Sequence, residues 1–315
     1  MIKVFIDGRN GTTGLKIDER MAARDDVSVM TIPDELRKDP AEKKKYMNDA
    51  DVVFLCLDDK AAMESVALVE NPDTIIIDAS TAHRTNPDWV YGFPELCDEQ
   101  REAIANSNSI ANPGCHATGF ISVVYPLIVG NVVSEENTFT CFSITGYSGG
   151  GKNMIKEYES DEAGKLDSPM PYGLANPLNH KHLPEMKAMC RLKSSPIFVP
   201  VLGKIAQGMN TMVAIDCKDI LFYGAKEIHE ALSDHYAGKT FVKVMPLGGE
   251  DFLNAGRLDA QRCNGTNNLE ISVFGRQDQA LVCAVFDNLG KGASGAAIQN
   301  MNIALGIAET KGLVR

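Results

Sequence analysis

Short apolar runs alternate with amphipathic polar stretches along the first third of the chain, the pattern of a parallel sheet with helices packed on its faces. "KVFIDG" predicts a first strand, "TTGLKIDERMAARD" a helix, "VSVMTI" a second strand and "DPAEKKKYMND" a helix. "DVVFLCL" then predicts a strand, "DKAAMESVALVE" a helix and "TIIIDAS" a further strand. "TGFISVVYPLIV" reads as an apolar helix. Beyond it the texture changes. "TFTCFSITGYSG", "IFVPVLGKIAQGMNTMVAI", "TFVKVMPL" and "NNLEISVFGRQDQALVCAVFDNL" are long strand-like runs with few helices between them, which predicts a mixed sheet. The closing "GASGAAIQNMNIALGIAE" has small and apolar residues at helical spacing, and predicts a last helix that packs back on the first domain. The expected class is α/β: a doubly wound parallel sheet over residues 1–114 with 290–315, and a second domain over 115–289.

Composition narrows what such a chain does. With 315 residues, 44% of them apolar, it is long enough to bury a core in each of two domains. A formal charge of -11 argues against a protein built to neutralise nucleic-acid phosphates or an anionic membrane surface. Lys43, Lys44 and Lys45 form the one basic run and predict a solvated helix face. No apolar run approaches the ~18 residues of a membrane span. The opening "MIKVFIDG" enters a strand without a signal-peptide layout, so a cytoplasmic location is expected. The 8 cysteines show no C-x-x-C spacing, so neither a disulfide framework nor a metal site is expected. Cys56 in "VVFLCL" and Cys283 in "ALVCAVF" read as small core hydrophobes.

"VFIDGRNGTTG" is the first stretch with candidate chemistry. It sets Gly8, Gly11 and Gly14, with Asn10, Thr12 and Thr13 between them, where a strand ends and a helix begins. Glycines there let backbone amides at a helix start approach a diphosphate, which points to a dinucleotide. The spacing is G-x-x-G-x-x-G rather than G-x-G-x-x-G, and a purely structural turn is the bland alternative. Asp34 stands where an acidic residue favours a free ribose hydroxyl, whereas Arg9, Arg37 and Lys38 are cations suited to a 2′-phosphate, so NAD and NADP both remain open.

"NSIANPGCHATGF" places Cys115 after a Pro-Gly turn and before a helix, where a thiolate is favoured. The remaining cysteines lack that setting. A thiolate that makes and breaks a thioester needs a group to take and return a proton, and histidine titrates in the right range. His180 and His182, with Glu185, lie together in "NHKHLPEM", a loop that ends in a helix start at Pro184. His116 follows the cysteine directly and is expected to point away, and His229 and His235 are expected to be solvated. "DASTAHR" carries Ser80, Thr81 and Arg84 past a strand end, where Arg84 suits a phosphate or carboxylate. "TGYSGGGK", residues 145–152, offers a flexible loop with Ser148 and Gly149 for substrate or cofactor.

Together "GRNGTTG", "YGFPEL", "ANPGCHATG", "NHKHLPEM" and "DNLGKGASGAAIQNMN" resemble N-acetyl-gamma-glutamyl-phosphate reductase of arginine biosynthesis, in its shorter form, in the same order over residues 8–302. The resemblance implies a Rossmann-type domain joined to an α+β substrate and dimerisation domain similar to that of aspartate-semialdehyde dehydrogenase. It implies NADP as cofactor and Cys115 as the nucleophile that carries an acyl thioester. NADPH would then reduce N-acetyl-glutamyl phosphate to the semialdehyde with release of phosphate. It further implies His180, in preference to His182, as the base, with Glu185 orienting one of them. Arg84, Asn112, Ser148 and Glu185 are the expected substrate contacts. Arg37, Ser80 and Gly149 join the glycine turn at the cofactor, and residues 288–302, with Asn288 and Lys291, are expected to close over the nicotinamide. The chain departs from the longer members at "TIPDELRK", which lacks their Ser-Arg pair for the 2′-phosphate. Two rivals stay open: a related acyl-phosphate reductase such as aspartate-semialdehyde dehydrogenase, and a non-catalytic dinucleotide sensor. A homo-oligomer acting on a small molecule is expected, with no nucleic-acid or membrane partner.

Overall fold

The apolar runs of the first third form strands in a computed structural model that describes residues 1–33, 35–37, 39–160, 166–175, 179–217, 224–249 and 251–315. Asp34 and Lys38 lie outside the described residues. The chain divides into two units, Met1–Gly114 with Ala293–Val314, and Cys115–Gly292 with Arg315.

The first unit runs β1 (Ile2–Asp7), α1 (Thr12–Ala22), β2 (Val27–Met30), α2 (Pro40–Asp49), β3 (Val52–Leu55), α3 (Asp59–Val66) and β4 (Ile75–Asp78). It continues with β5 (Val90–Tyr91), α4 (Asp98–Ala105) and β6 (Ser109–Ala111), and it is completed by the helix Gly295–Ala304. Among the described residues its sheet has six strands, all parallel, in the order β2-β1-β3-β4-β6-β5. Alternate strand residues bury to opposite faces. Val4, Ile6, Phe54 and Ile77 pack with Ile17 and Met21 of α1 and with Ile298 and Met301 of the final helix. Phe5, Val53, Leu55 and Ile76 pack with Met47 of α2 and Ala62 of α3. Helices on both faces are what a parallel sheet requires. Local chemistry starts them where they start: Asp39 caps α2 by accepting from the amides of Ala41 (2.8 Å) and Glu42 (3.4 Å), and Pro40 occupies its first turn. The chain order reverses between β1 and β3, so the turns after these two strands form the crevice where doubly wound sheets bind ligands.

The second unit opens with α5 (Cys115–Val129), followed by β7 (Thr140–Gly146), α6 (Gly151–Tyr158), β8 (Met170–Pro171) and α7 (Leu183–Met189). Then come β9 (Ile197–Gly203), β10 (Met209–Asp216), α8 (Ala225–His235), β11 (Val242–Val244), β12 (Leu269–Gly275) and β13 (Gln279–Phe286). Among the described residues they form a seven-stranded mixed sheet in the order β11-β12-β13-β10-β7-β9-β8. Helix α5 is apolar all round and packs on the inner face of this sheet. A β-carbon at Gly119 would stand 2.3 Å from Thr211 Oγ1 and 3.0 Å from the Phe286 ring, so glycine is what lets the helix seat there.

Several expectations need correction. The run read as one strand through residues 197–215 is two strands, because Gly203 and Gly208 bracket a reversal, with Gly208 at φ +120°. The run ending at residue 289 is likewise an antiparallel hairpin, β12 and β13, turned at Gly275 with φ +140°. The second unit also has more helix than its strand-like texture suggested. Residues 147–150 form a 3-10 turn leading into α6 rather than a flexible loop. Lys43 is not part of a solvated face, because its ammonium ion-pairs at 2.8 Å with buried Asp7. His229 and His235 are half-buried, and His229 Nε2 lies 2.8 Å from the Met245 carbonyl oxygen.

The final helix is a core element of the first unit, so its apolar face should contribute strongly to stability. Met301, fully buried between α1 and the sheet, should on replacement by Ala destabilise that unit by about 2–5 kcal/mol, read as a lower urea midpoint. A midpoint within error of the parent would contradict this placement.

Candidate active site

The glycine turn is shaped for a backbone approach. Gly8 has φ +83°, and a β-carbon on it would stand 2.3 Å from the Cys56 carbonyl oxygen at the end of β3. One on Gly14 would stand 2.5 Å from the Gly8 carbonyl oxygen. The Gly11 amide donates to that same oxygen at 2.8 Å, closing the turn. Helix α1 starts at once, with Gly11 as its cap and no side chain satisfying its first amides. Thr12 Oγ1, in the first turn, is shielded from solvent and has no hydrogen-bond partner. Free amides, an orphaned hydroxyl and no β-carbons in the way fit a diphosphate, so these residues suit a dinucleotide. Thr13 is half-buried in the same turn and Asn10 is exposed.

Arg9 reaches the end of β2, donating to Thr31 Oγ1 at 2.8 Å and pairing with Asp18 at 2.8 Å. That strand end is where folds of this kind read the adenosine ribose. Arg37 is exposed in a turn seven residues after β2, past the same strand end.

Asp78, fully buried at the end of β4, organises the loop that follows. Ser80 donates to it from Oγ (2.6 Å) and from its amide (2.9 Å), and His83 Nδ1 lies 2.6 Å away, with the His83 ring stacked on Trp89. Arg84 is buried and donates from Nε to the Asn112 carbonyl (2.9 Å) and from a terminal nitrogen to the Ala79 carbonyl (2.9 Å). Asn112 donates to the Ala293 carbonyl at 3.1 Å and accepts from Asn300 at 3.2 Å. Arg84, Asn112 and Ser80 are therefore brought together in the first unit as a hydrogen-bonded support.

Cys115 is the first residue of α5 and is partly exposed. A β-carbon on Gly292 would stand 2.9 Å from the Cys115 β-carbon, so the chain at Gly292 lies directly against the cysteine. The histidine loop packs on the neighbouring residue. The His116 ring centroid is 5.5 Å from that of His180 and 5.7 Å from that of His182, and the two loop rings are 4.7 Å apart. The His182 amide donates to His180 Nδ1 at 3.1 Å, so neutral His180 carries its proton on Nε2. Helix α7 follows with Pro184 in its first turn, and Glu185 is buried there.

His116 was expected to point away, but its ring is at the centre of this cluster. Nδ1 lies 2.8 Å from Ser143 Oγ, Nε2 lies 2.8 Å from the Tyr172 hydroxyl, and Ser143 Oγ lies 2.8 Å from Thr211 Oγ1. Burial, reinforced by His180 and Lys181, pushes the His116 imidazole down to about 3, so it stays neutral. Burial, with the Cys115 thiolate adding to it, pushes the Tyr172 hydroxyl well above its usual value. Burial pushes the Cys283 thiol up to about 12, and burial with the Asp78 and Asp7 carboxylates does the same to Cys56.

Ser148 and Asn288 are also brought together: Asn288 donates to Ser148 Oγ at 3.0 Å and accepts from the Gly208 amide at 2.9 Å, with Gly149 against its amide group. Lys291 is buried beside the Phe241 ring, 5.9 Å from its centroid. Residues 288–302 divide between the units after residue 292, and those from 295 onward are a buried helix of the first unit.

Tyr172, Ser143, Thr211 and Gly292 were not singled out from the sequence. Ser143 and Thr211 had a legible signal, because they are polar residues on the apolar, inward alternation of "TCFSITG" and "MNTMVAI". Tyr172 had none.

Among known proteins, a family described as "Semialdehyde dehydrogenase, NAD binding domain" matches residues 3–106, and "Semialdehyde dehydrogenase, dimerisation domain" matches residues 115–288. N-acetyl-gamma-glutamyl-phosphate reductase 2 of Nostoc sp. is 44% identical over 318 residues, covering 99% of both chains. The N-acetyl-gamma-glutamyl-phosphate reductase of Burkholderia ambifaria is 44% identical over 97% of this chain and 96% of its own. In structure, the aspartate semialdehyde dehydrogenase of Francisella tularensis superposes with a TM-score of 0.72 at 16% identity, covering 96% of this chain and 99% of that one. The aspartate semialdehyde dehydrogenase with NADP from Candida albicans gives 0.65 at 15% identity, covering 96% and 98%.

The depressed His116 imidazole has a consequence for stability. Its folded value of about 3 lies below the ordinary 6.5, so below 6.5 the unfolded chain takes up a proton that the folded chain refuses. The stabilisation is fully present above 6.5 and is lost as the pH falls toward 3. His116→Gln should flatten the fall in urea midpoint over this window, and an unchanged slope would contradict it.

Proposed function

The chain belongs to the N-acetyl-gamma-glutamyl-phosphate reductase family, and from that premise we propose that it reduces N-acetyl-glutamyl 5-phosphate to the 5-semialdehyde with release of phosphate, a step of arginine biosynthesis. The observation that carries the chemistry is Cys115 at the first turn of α5, with the His180–His182 loop packed on the adjacent ring.

In this reading the Cys115 sulfur, as thiolate, attacks the acyl carbon, the C–S bond forms, and the C–O bond to phosphate breaks. Amides of the first turn of α5 stabilise the charge on the oxygen as it develops. A nicotinamide dinucleotide, when bound, supplies the hydride that reduces the thioester. The C–S bond then breaks, which releases the aldehyde and returns Cys115 as thiolate. His180 and His182 divide the remaining work. His180, with its proton on Nε2, donates a hydrogen bond to the substrate oxygen, and the pair takes the thiol proton and passes one to the leaving phosphate. Glu185, in the first turn of α7, orients them. Arg84, Asn112 and Ser148 join Glu185 as substrate contacts.

The dinucleotide sits on Gly8, Asn10, Gly11, Thr12, Thr13 and Gly14, with Ser80, Gly149, Asn288 and Lys291 as further contacts. We take it to be NADP, because Arg9 stands at the end of β2 and Arg37 follows it, both suited to a 2′-phosphate. The protein works in the cytoplasm; among the described residues no helix is long and apolar enough to cross a membrane. It is a homo-oligomer joined through the outer face of the mixed sheet, where Phe142 and Ile197 are each 46% exposed and Leu281 is 38% exposed.

Semialdehyde, phosphate and NADP, followed at the nicotinamide absorbance, should give turnover that Cys115→Ser lowers by at least about 10³-fold while dinucleotide binding is kept. In the same assay over a pH series, the histidine variant that loses the acidic limb, His180→Asn or His182→Asn, marks the proton acceptor. The variant slowed equally at every pH marks the donor. Full activity of Cys115→Ser, or an intact limb and rate in both histidine variants, would refute this mechanism.

Cofactor choice has its own test. NADPH should be preferred over NADH in kcat/KM, and Arg9→Ala or Arg37→Ala should narrow that preference by about tenfold or more. Equal use of both dinucleotides by the unaltered protein would remove the case for NADP.

A further inference from the structure

Asp287, the first residue after β13, is a buried acid that the reaction above leaves without a role. Both of its oxygens accept hydrogen bonds: Oδ1 from the Leu289 amide at 2.8 Å, Oδ2 from the Gly265 amide at 2.9 Å, and each from Gln207 Nε2 at 3.2 Å. Among the described residues these donors are all neutral. A carboxylate out of reach of water must keep the donors it has, so the chain at residues 207, 265 and 289 is pinned to one side chain. The backbone oxygen of Asp287 accepts in turn from the amides of Gly290 (3.1 Å) and Gly292 (3.0 Å). Both glycines are packed against what lies beside them. A β-carbon on Gly290 would stand 2.3 Å from the Thr266 carbonyl oxygen and 3.0 Å from the Asp287 β-carbon. One on Gly292 would stand 2.9 Å from the Cys115 β-carbon and 3.1 Å from the Phe286 ring. Printed contacts therefore run without a break from the carboxylate, through the turn of residues 287–292, to the flank of Cys115.

We propose that Asp287 is a positioning residue for the nucleophile: by fixing the turn of residues 287–292 it holds Gly292 against the Cys115 β-carbon and so limits the orientations open to the sulfur. The proposal rests on Cys115 being the nucleophile of the reaction above. It explains why a carboxylate stands here and not an amide of the same shape. The Leu289 and Gly265 amides donate to opposite oxygens, so an amide nitrogen at either place would meet another donor. It also explains the spacing of "DNLGKG", in which the first glycine makes room for the Asp287 side chain and the second for the cysteine. Asn288, between them, binds Ser148 Oγ and the Gly208 amide, which ties the same turn to the segment that carries Ser148.

The test is Asp287→Asn, which keeps the size of the side chain and removes one acceptor. Iodoacetamide labelling of the whole protein without substrate, followed for each cysteine peptide by mass spectrometry, should show Cys115 reacting about threefold faster or more as the chain beside it loosens. Buried Cys141 and Cys283 should stay as they are in the parent. In the semialdehyde assay the same variant should lose about tenfold or more in kcat with KM changed by less than about twofold, the mark of a displaced reacting group rather than of lost binding. Gly292→Ala leaves every donor to the carboxylate in place and should reproduce that fall. The two changes together should cost little more than the larger one alone, because they act on one contact. An unchanged Cys115 labelling rate overturns the proposal, as do additive losses in kcat or labelling of Cys141 and Cys283 along with Cys115. Should Asp287→Asn fold poorly, Gln207→Leu takes one donor from the carboxylate and decides: Cys115 labelling must still rise, and an unchanged rate overturns the proposal. If the parent shows no turnover in the semialdehyde assay while Asp287→Asn still speeds Cys115 labelling, the reaction assigned above fails and the hold of Asp287 on the cysteine stands.

Discussion

The missing β-carbon of Gly119 sets how deeply α5 sinks into its sheet, and the cysteine site follows from that depth. With 2.3 Å between a hypothetical methyl there and Thr211 Oγ1, there is no room for any other side chain. Because the helix lies that close, His116, one turn earlier, reaches the hydroxyls of the inner face, and its ring becomes the surface on which the histidine loop packs. At the helix start the same economy of space recurs, since Gly292 admits the chain beside the Cys115 side chain. Cys115 is thus placed by close approaches at Gly119 and at Gly292.

The first unit positions its loops by another device. Carboxylates stand at the ends of two of its strands, Asp7 on β1 and Asp78 on β4, and both are buried. Each is satisfied locally, Asp7 by an ion pair with Lys43 and a hydrogen bond from Ser65 at 2.8 Å, Asp78 by hydrogen bonds with Ser80 and the His83 ring. A buried carboxylate demands its donors, and the residues that satisfy it belong to the segments after the strands or the helices beside them. The loops that follow these strands are therefore held in place by hydrogen bonds to buried carboxylates.

Much of this was legible in the chain itself. The alternation through residue 78 yielded the strand–helix series because in a parallel sheet each apolar run is short and bounded, and a Pro-Gly turn before Cys115 did mark a helix start. Reading failed where one apolar-rich run spans a reversal: Gly203 and Gly208 lie inside it, and periodicity cannot tell a glycine that turns the chain from one that stays in a strand. It failed again at His116. Adjacency to Cys115 suggested a side chain directed away, which holds along one helix, but the fold brings Tyr172, 56 positions later, and Ser143, 27 positions later, to that ring. Such contacts depend on the register of β7 with β9 and on where β8 joins β9, and neither leaves a trace in local pattern. The final helix was legible as an element and as a partner of the first domain, because its apolar residues have nowhere else to bury.

The return of residues 293–314 to the first unit also shapes how the chain must fold as it is made. Ala297, Ile298, Met301 and Ile303 fill a cluster with Val4, Ile17, Phe54 and Ile110, all of which leave the ribosome before residue 115. At about 5–20 residues per second, the intervening 178 residues (292 minus 114) take roughly 10–35 s to synthesise. During that interval one face of the first sheet carries α1 but lacks its last helix and stays partly open, while nearly all of the second unit, continuous from Cys115 to Gly292, has its sequence complete and is free to form. The nascent chain therefore closes its second unit first and its first unit last, and holding that open face away from other apolar surfaces is the step on which its yield in a crowded cell depends.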